Sequence, residues 1–166
     1  ADCNKEDEHN WTPLLFAISK RNERLVAKIL PHCEIELRAG RPTYLAPLHF
    51  AATHPDVAVM KLILEDDRKV PINLKDHDQN NVLHVLSSIF DRHYPKVVSV
   101  ANLIIEHKVD VNAFNKAGYS PLHYAVLNGQ YFGVKWLMKK RTEMLPDSLD
   151  QCQRSNHDAE HGDVTI

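Results

Sequence analysis

Little in this chain points toward export, covalent cross-linking or a membrane. Its 166 residues include only three cysteines, Cys3, Cys33 and Cys152, which are odd in number, far apart and never arranged as CxxC. That excludes a disulfide framework and a thiolate zinc site, and it favours a reducing compartment, cytoplasm or nucleus. No run approaches the roughly 18 consecutive apolar residues of a membrane span. The opening ADCNKEDEHN is too polar for a signal peptide. Five glycines, mostly isolated, offer no GxGxxG or Walker pattern, and no GxSxG elbow, HExxH or kinase signature occurs. An excess of one charge is missing too: 20 basic and 22 acidic side chains give a formal charge of -2. Neither nucleic acid nor an anionic bilayer is drawn to such a balance. Lys139-Lys140-Arg141 is basic, but it closes a helix, where cations favour the carbonyl end.

What the chain does have is a repeat. Three segments align, WTPLLFAISKRN from Trp11, LAPLHFAATHPD from Leu45 and YSPLHYAVLNGQ from Tyr119. A fourth, NNVLHVLSSIFD from Asn80, carries Val82 where the others carry Pro13, Pro47 and Pro121. The four anchors are spaced 34, 35 and 39 residues apart, and each is followed by two apolar stretches at helical spacing. Thr12 and Ser120 before proline suit a helix start, where a hydroxyl accepts a backbone N–H and proline opens the first turn. Leu14, Leu48, Leu83 and Leu122 are expected to point into the stack, and Ala17, Ala51 and Ala125 to let helices approach closely. Gly118 and Gly129 fit turns that need a left-handed backbone. Such a unit buries its apolar face only against a neighbour, so the units must stack.

At these residues the chain resembles the ankyrin-repeat family, whose period is about 33 with a TPLHxA signature. The unit from Asn115 to Gly118, through Ser120-Pro121-Leu122-His123-Tyr124-Ala125 to Asn128-Gly129, matches best. The resemblance implies an all-α solenoid of stacked helix pairs with β-hairpin-like connectors. It divides the chain into an extension (1–6), repeats over 7–40, 41–75, 76–114 and 115–141, and an acidic cap or tail (142–166). The first repeat has Leu15 where the others have His49, His84 and His123, and its LLFAI start is apolar for a terminal face. Either residues 1–6 fold across that face or further repeats lie upstream. The third repeat gains residues near 89–96, a stretch expected at the surface with Phe90, Arg92 and Tyr94 exposed. Pro95 is expected to start a lengthened second helix. From Glu143 onward six acidic residues face Arg154 alone, and Met144, Leu145 and Leu149 are candidates for a short cap.

The chemistry is sparse. His49, His84 and His123 recur one per repeat, too far apart to share an ion at zinc–nitrogen distances of about 2.0–2.1 Å, and read as structural helix-start imidazoles. His157 and His161 stand at i, i+4 spacing in a polar tail and make a weak metal site at best. No catalytic residues, cofactor, metal, nucleic acid, membrane or small-molecule substrate is expected, and the partner is a protein. The resemblance implies binding through connector fingers and a concave palm of first helices. Finger candidates are Trp11, Tyr44, Leu45, His77, Asn80, Lys116 and Tyr119. Palm candidates are Ser19, Lys20, Thr53, His54, Leu127 and Asn128. Trp11, Tyr44 and Tyr119 lead, because exposed aromatics dominate binding energy. Trp136 lies at core spacing. Asn73 and Asn112 sit where some family members undergo asparaginyl hydroxylation. The expected role is a non-catalytic scaffold, targeting or inhibitory adaptor. The alternatives are a regulatory or substrate-recruiting part of a larger enzyme or channel, and a short inhibitor resembling the cytoplasmic inhibitors of NF-κB-type transcription factors.

Overall fold

The computed structural model describes residues 4–8, 10–34 and 45–144. Tyr44, Cys3, Cys152, His157, His161 and the cap candidates Leu145 and Leu149 lie outside them. The described residues hold eight α-helices: α1 Pro13–Ser19, α2 Glu23–Ile29, α3 Pro47–Thr53, α4 Val57–Leu64, α5 Val82–Ser88, α6 Lys96–Glu106, α7 Pro121–Leu127 and α8 Tyr131–Glu143. They form four antiparallel-reading pairs, an inner helix followed by an outer one. The inner helices α1, α3, α5 and α7 pack in a row, and α2, α4 and α6 pack in a second row behind them. This is the all-α solenoid expected from the repeat.

The helix starts follow from local chemistry. Thr12 is extended, and its Oγ1 accepts the Leu15 N–H at 3.3 Å, while Pro13 opens α1. Asn22 and Asp56 cap the outer helices α2 and α4 through Leu25 N–H and Val59 N–H, both at 3.1 Å. Pro95 caps α6 without a side-chain bond, so the lengthened helix begins at Lys96. Inside the two rows lie Leu14, Leu48, Leu83, Met60, Ile63 and Ile104, each at most 1% exposed. At about 25 cal/mol per Å² of apolar area, this burial is the main driving force for stacking. Leu122 packs against the core but stays half-buried.

Two polar devices tie neighbouring pairs together. His49 Nε2 donates to the Leu74 carbonyl at 2.9 Å and faces the Asn80 carbonyl at 3.2 Å. His84 Nε2 donates to the Tyr119 carbonyl at 2.9 Å, while its Nδ1 accepts the Asn81 N–H at 3.2 Å. Each histidine therefore reaches the next connector, and His84 also closes its own helix start. Arg68 does a similar job at the outer edge. Its guanidinium donates to the Leu30 carbonyl at 2.6 Å and to the Cys33 carbonyl, and Asp66 holds it at 2.7 Å.

The insertion near 89–96 is not a free surface loop. Phe90, expected to be exposed, is fully buried, 5.5 Å from the Trp136 ring. Asp91 Oδ1 accepts the N–H groups of Phe132 (3.0 Å) and Gly133 (3.2 Å). Gln130, the residue at the start of α8, makes no cap of its own; its Oε1 instead accepts the Asp91 N–H at 2.7 Å. The insertion fills the space between the third and fourth pairs and caps the last helix from outside.

Candidate functional site: the groove between the third and fourth connectors

The third and fourth connectors are short turns, each organised by one acidic or amide side chain. Asp76, 6% exposed, accepts the N–H groups of Asp78 (2.9 Å) and Asn80 (2.8 Å) through Oδ1 and the Asn80 amide through Oδ2 (3.0 Å). Asn115 accepts those of Ala117 (3.0 Å) and Tyr119 (2.9 Å) in the same way. Gln79 (φ 63°) and Gly118 (φ 77°) take the left-handed position of their turns. The turns close like hairpins through Asp76 N–H to Asn80 O and Asn115 N–H to Tyr119 O, though no strand forms among the described residues.

The two connectors are bonded to each other. The Asn115 amide donates to Asn80 Oδ1 at 2.9 Å, and Lys116 N–H donates to the Asp78 carbonyl at 2.9 Å. Between them and α7 opens a groove of about 520 Å³. Asp78, Lys116 and Tyr119 form its finger side, and Tyr124, Leu127 and Asn128 its palm side. Tyr119 is 40% and Leu127 64% exposed, while Asp78 and Lys116 supply opposite charges. The floor is set by the core: Tyr124 packs edge-on to His84, with centroids 5.5 Å apart. A preformed apolar cleft with a few polar groups is the usual form of a binding site.

Four sequence candidates meet here: Lys116, Tyr119, Leu127 and Asn128. The sequence missed Tyr124 and Asp78. Tyr124 occupies the helix slot of Phe16 and Phe50, an aromatic that recurs three residues after the proline of those inner helices. His77 is exposed beside Asp78 but does not line the groove.

Other candidates are placed elsewhere. Leu45 and Asn80, expected on fingers, are buried at 7% and 6%: the neighbouring pairs enclose Leu45, and Asp76 and Asn115 hold Asn80. Phe90 is in the core, as described. Trp11 is half-buried, edge-on to Phe50 at 5.2 Å, so much of its ring joins the first pair to the second. Ser19 Oγ folds back onto the Phe16 carbonyl (2.8 Å), and Thr53 Oγ1 onto the Phe50 carbonyl (2.7 Å). The Lys20 ammonium stands 5.3 Å over the Phe16 ring, and the His54 ring lies 4.9 Å from Phe50. Arg92 is exposed, and Tyr94 stacks on Phe132 at 5.0 Å. Arg92 also belongs to a basic edge: burial first, then Arg21, Arg92, His54 and Lys96, hold the His93 imidazole below its ordinary pKa.

Among the described residues no group of three or more histidine, cysteine or acidic side chains could hold a metal ion, and no helix is long and apolar enough to cross a membrane. A family model described as ankyrin repeats (three copies) matches residues 48–147. A probable serine/threonine-protein kinase of Dictyostelium discoideum is 28% identical over 125 residues, covering 74% of this chain and 14% of its own length. Human Rabankyrin-5 is 33% identical over 95 residues, 56% of this chain and 8% of its own. A putative ankyrin repeat protein of fowlpox virus is 22% identical over 162 residues, covering 81% and 85%. The chain thus spans a small part of the kinase and of Rabankyrin-5.

Proposed function

Because the chain belongs to the ankyrin-repeat family, we propose that it is a protein-interaction module that grips a partner in the groove between its third and fourth connectors. The observation that carries this reading is the bonded pair of fingers over an open apolar floor. Asn115 to Asn80 and Lys116 to Asp78 fix the rim, and Tyr119 and Leu127 stay exposed above it. A surface that is already ordered loses little entropy when it binds. Tyr119 and Leu127 supply apolar anchoring area, and Lys116 and Asp78 select polar groups on the partner. No catalytic step enters this reading. It places the work in the cytoplasm or nucleus, on the cysteine pattern alone.

The test compares partners recovered with the wild type and with Tyr119→Ala/Leu127→Ala. Removing a central anchor costs about 2 kcal/mol or more, roughly thirtyfold in affinity. Recovery should fall to that extent while the urea midpoint stays unchanged. Equal recovery would refute the groove.

A second reading is favoured by the lengths of the relatives. The chain spans 14% of the kinase it resembles, which supports a regulatory or substrate-recruiting role within a larger protein.

A further inference from the structure

Cations collect where the inner helices of the first three pairs end. We infer that this ridge is a second docking surface, fitted to an acidic segment of a partner protein that also carries an aromatic side chain. It is separate from the groove, because none of the ridge residues lines that cleft.

The inner helices pack side by side, α1 against α3 and α3 against α5, so the turns that follow them form a row. Arg21 stands in the turn after α1, and His54 ends α3. Arg92 and His93 lie in the stretch after α5, and Lys96 opens α6. Arg21, Arg92 and Lys96 are exposed. These are one cluster. Burial comes first in lowering the His93 pKa, and then Arg21, Arg92, His54 and Lys96, drawn from all three pairs, lower it further. The acids of the same turns are engaged with helix starts. Asp56 Oδ1 accepts the Val59 N–H at 3.1 Å, and Asp91 Oδ1 accepts the N–H groups of Phe132 and Gly133. Their charge therefore meets the positive ends of α4 and α8. Glu23, in the first turn of α2, is flanked by Arg24.

The insertion fixes the third part of the ridge. Phe90 is buried against Trp136 and Asp91 is bonded to α8, so Arg92, His93 and Tyr94 ride on an anchored turn. Tyr94 stacks on Phe132 at 5.0 Å, and Tyr131 stands edge-on to Phe132 at 5.4 Å, with all three rings exposed. Carboxylates suit the cations, and a flat apolar side chain suits the rings beside them. An acidic protein segment offers both. A nucleic acid repeats its charge at every unit, and a short row of cations on a chain of formal charge -2 is a poor match for it. This chain's own Asp158, Glu160 and Asp163 follow α8. Asp91 holds the near end of that 13-residue helix, so its far end stands about 20 Å from the ridge. A partner's segment reaches the row without folding back along α8.

The probe is a fluorescein-labelled peptide of repeated Glu-Glu-Phe, titrated into the full chain and followed by anisotropy. Saturable binding that weakens as salt rises is expected, with the Gln-Gln-Phe counterpart far weaker. Arg21→Gln/Arg92→Gln and Arg92→Gln/Lys96→Gln should each weaken it roughly tenfold at an unchanged urea midpoint. Lys28→Gln/Lys139→Gln removes the same charge from exposed positions on outer helices and should leave the affinity unchanged. So should Tyr119→Ala/Leu127→Ala in the groove, whose own failure is thereby kept apart from that of the ridge. Absence of binding, or equal affinity in the two ridge variants and the wild type, would overturn the inference. An equal loss with Lys28→Gln/Lys139→Gln would reduce the effect to net charge, and a loss with the groove variant would move the peptide to the groove; either overturns the ridge. Tighter binding of an oligothymidylate than of the peptide would make the surface a nucleic-acid site instead. Peptide binding that appears only with Asp158→Asn/Glu160→Gln/Asp163→Asn would make this chain's own acidic stretch the occupant and overturn the partner segment.

Discussion

Gly133 leaves the space that Phe90 fills: a β-carbon at position 133 would stand 2.9 Å from the Phe90 Cβ and 3.1 Å from its Cγ. Gly133→Ala gains about 1 kcal/mol of helix propensity. It also forces the buried Phe90 backbone-proximal atoms aside, and overpacking of this kind costs about 1–3 kcal/mol. Overpacking wins, because Phe90 Cβ has no rotamer to escape into. The variant should melt a few degrees below the wild type, and an unchanged or higher Tm would show that the insertion yields.

Phe90→Ala should be the most damaging single truncation in the insertion. The side chain is fully buried, and such deletions cost about 3–5 kcal/mol. Asp91→Ala should cost about 1 kcal/mol, the usual value of an N-cap. Arg92→Ala, at an exposed position, should fall within about 0.5 kcal/mol of wild type. Urea unfolding of the three variants gives the order directly.

Gln79→Gly should stabilise the protein. Gln79 holds φ 63° in the turn position that Gly118 fills in the next connector. A left-handed residue with a β-carbon costs roughly 1–2 kcal/mol, and the unfolded-state entropy of the new glycine returns about 0.5–1. The net gain is about 0.5 kcal/mol, visible as a small rise in urea midpoint. A fall would mean that the Gln79 side chain contributes contacts.

Acid should weaken the stack through His84. Burial holds its imidazole below the ordinary histidine value, against the opposing pull of the Tyr119 carbonyl and of Asp76 and Asp110. The unfolded chain then binds the extra proton first, near pH 6.5. Stability is therefore complete above that pH and is lost as pH falls toward the lowered folded value. His93 shifts in the same direction and adds to the slope. His84→Gln should flatten the fall in urea midpoint between pH 7.5 and 5.5 without removing it. Parallel slopes for the two proteins would exclude His84 as a source.

Much of the stack was legible in the residues. Thr12, Pro13 and Pro121 mark helix starts, and Gly118 and Gly129 mark left-handed turns at φ 77° and 64°. Exposure within one slot was not. Leu45, Asn80 and Tyr119 each precede the cap residue of an inner helix, yet they range from 6% to 40% exposed. Neighbouring pairs decide that difference, and a single repeat does not encode it. Phe90 was misplaced because its flanks, Ser88 and Asp91 to Lys96, read as a polar loop. The signal lay far along the chain. Gly133 stands in the slot of Leu25, Val59 and Val100, and the missing side chain there announces that another must come to fill it. In the groove, Lys116, Tyr119, Leu127 and Asn128 were readable from the period, whereas Asp78 belongs there only because the two turns are bonded.

That bonding has a mechanical consequence. With Asn80 clasped by Asp76 on one side and Asn115 on the other, the tips at His77 and Lys116 are geared together and cannot swing separately. A load applied to one is shared by both, so whatever seizes the first meets the second already in position.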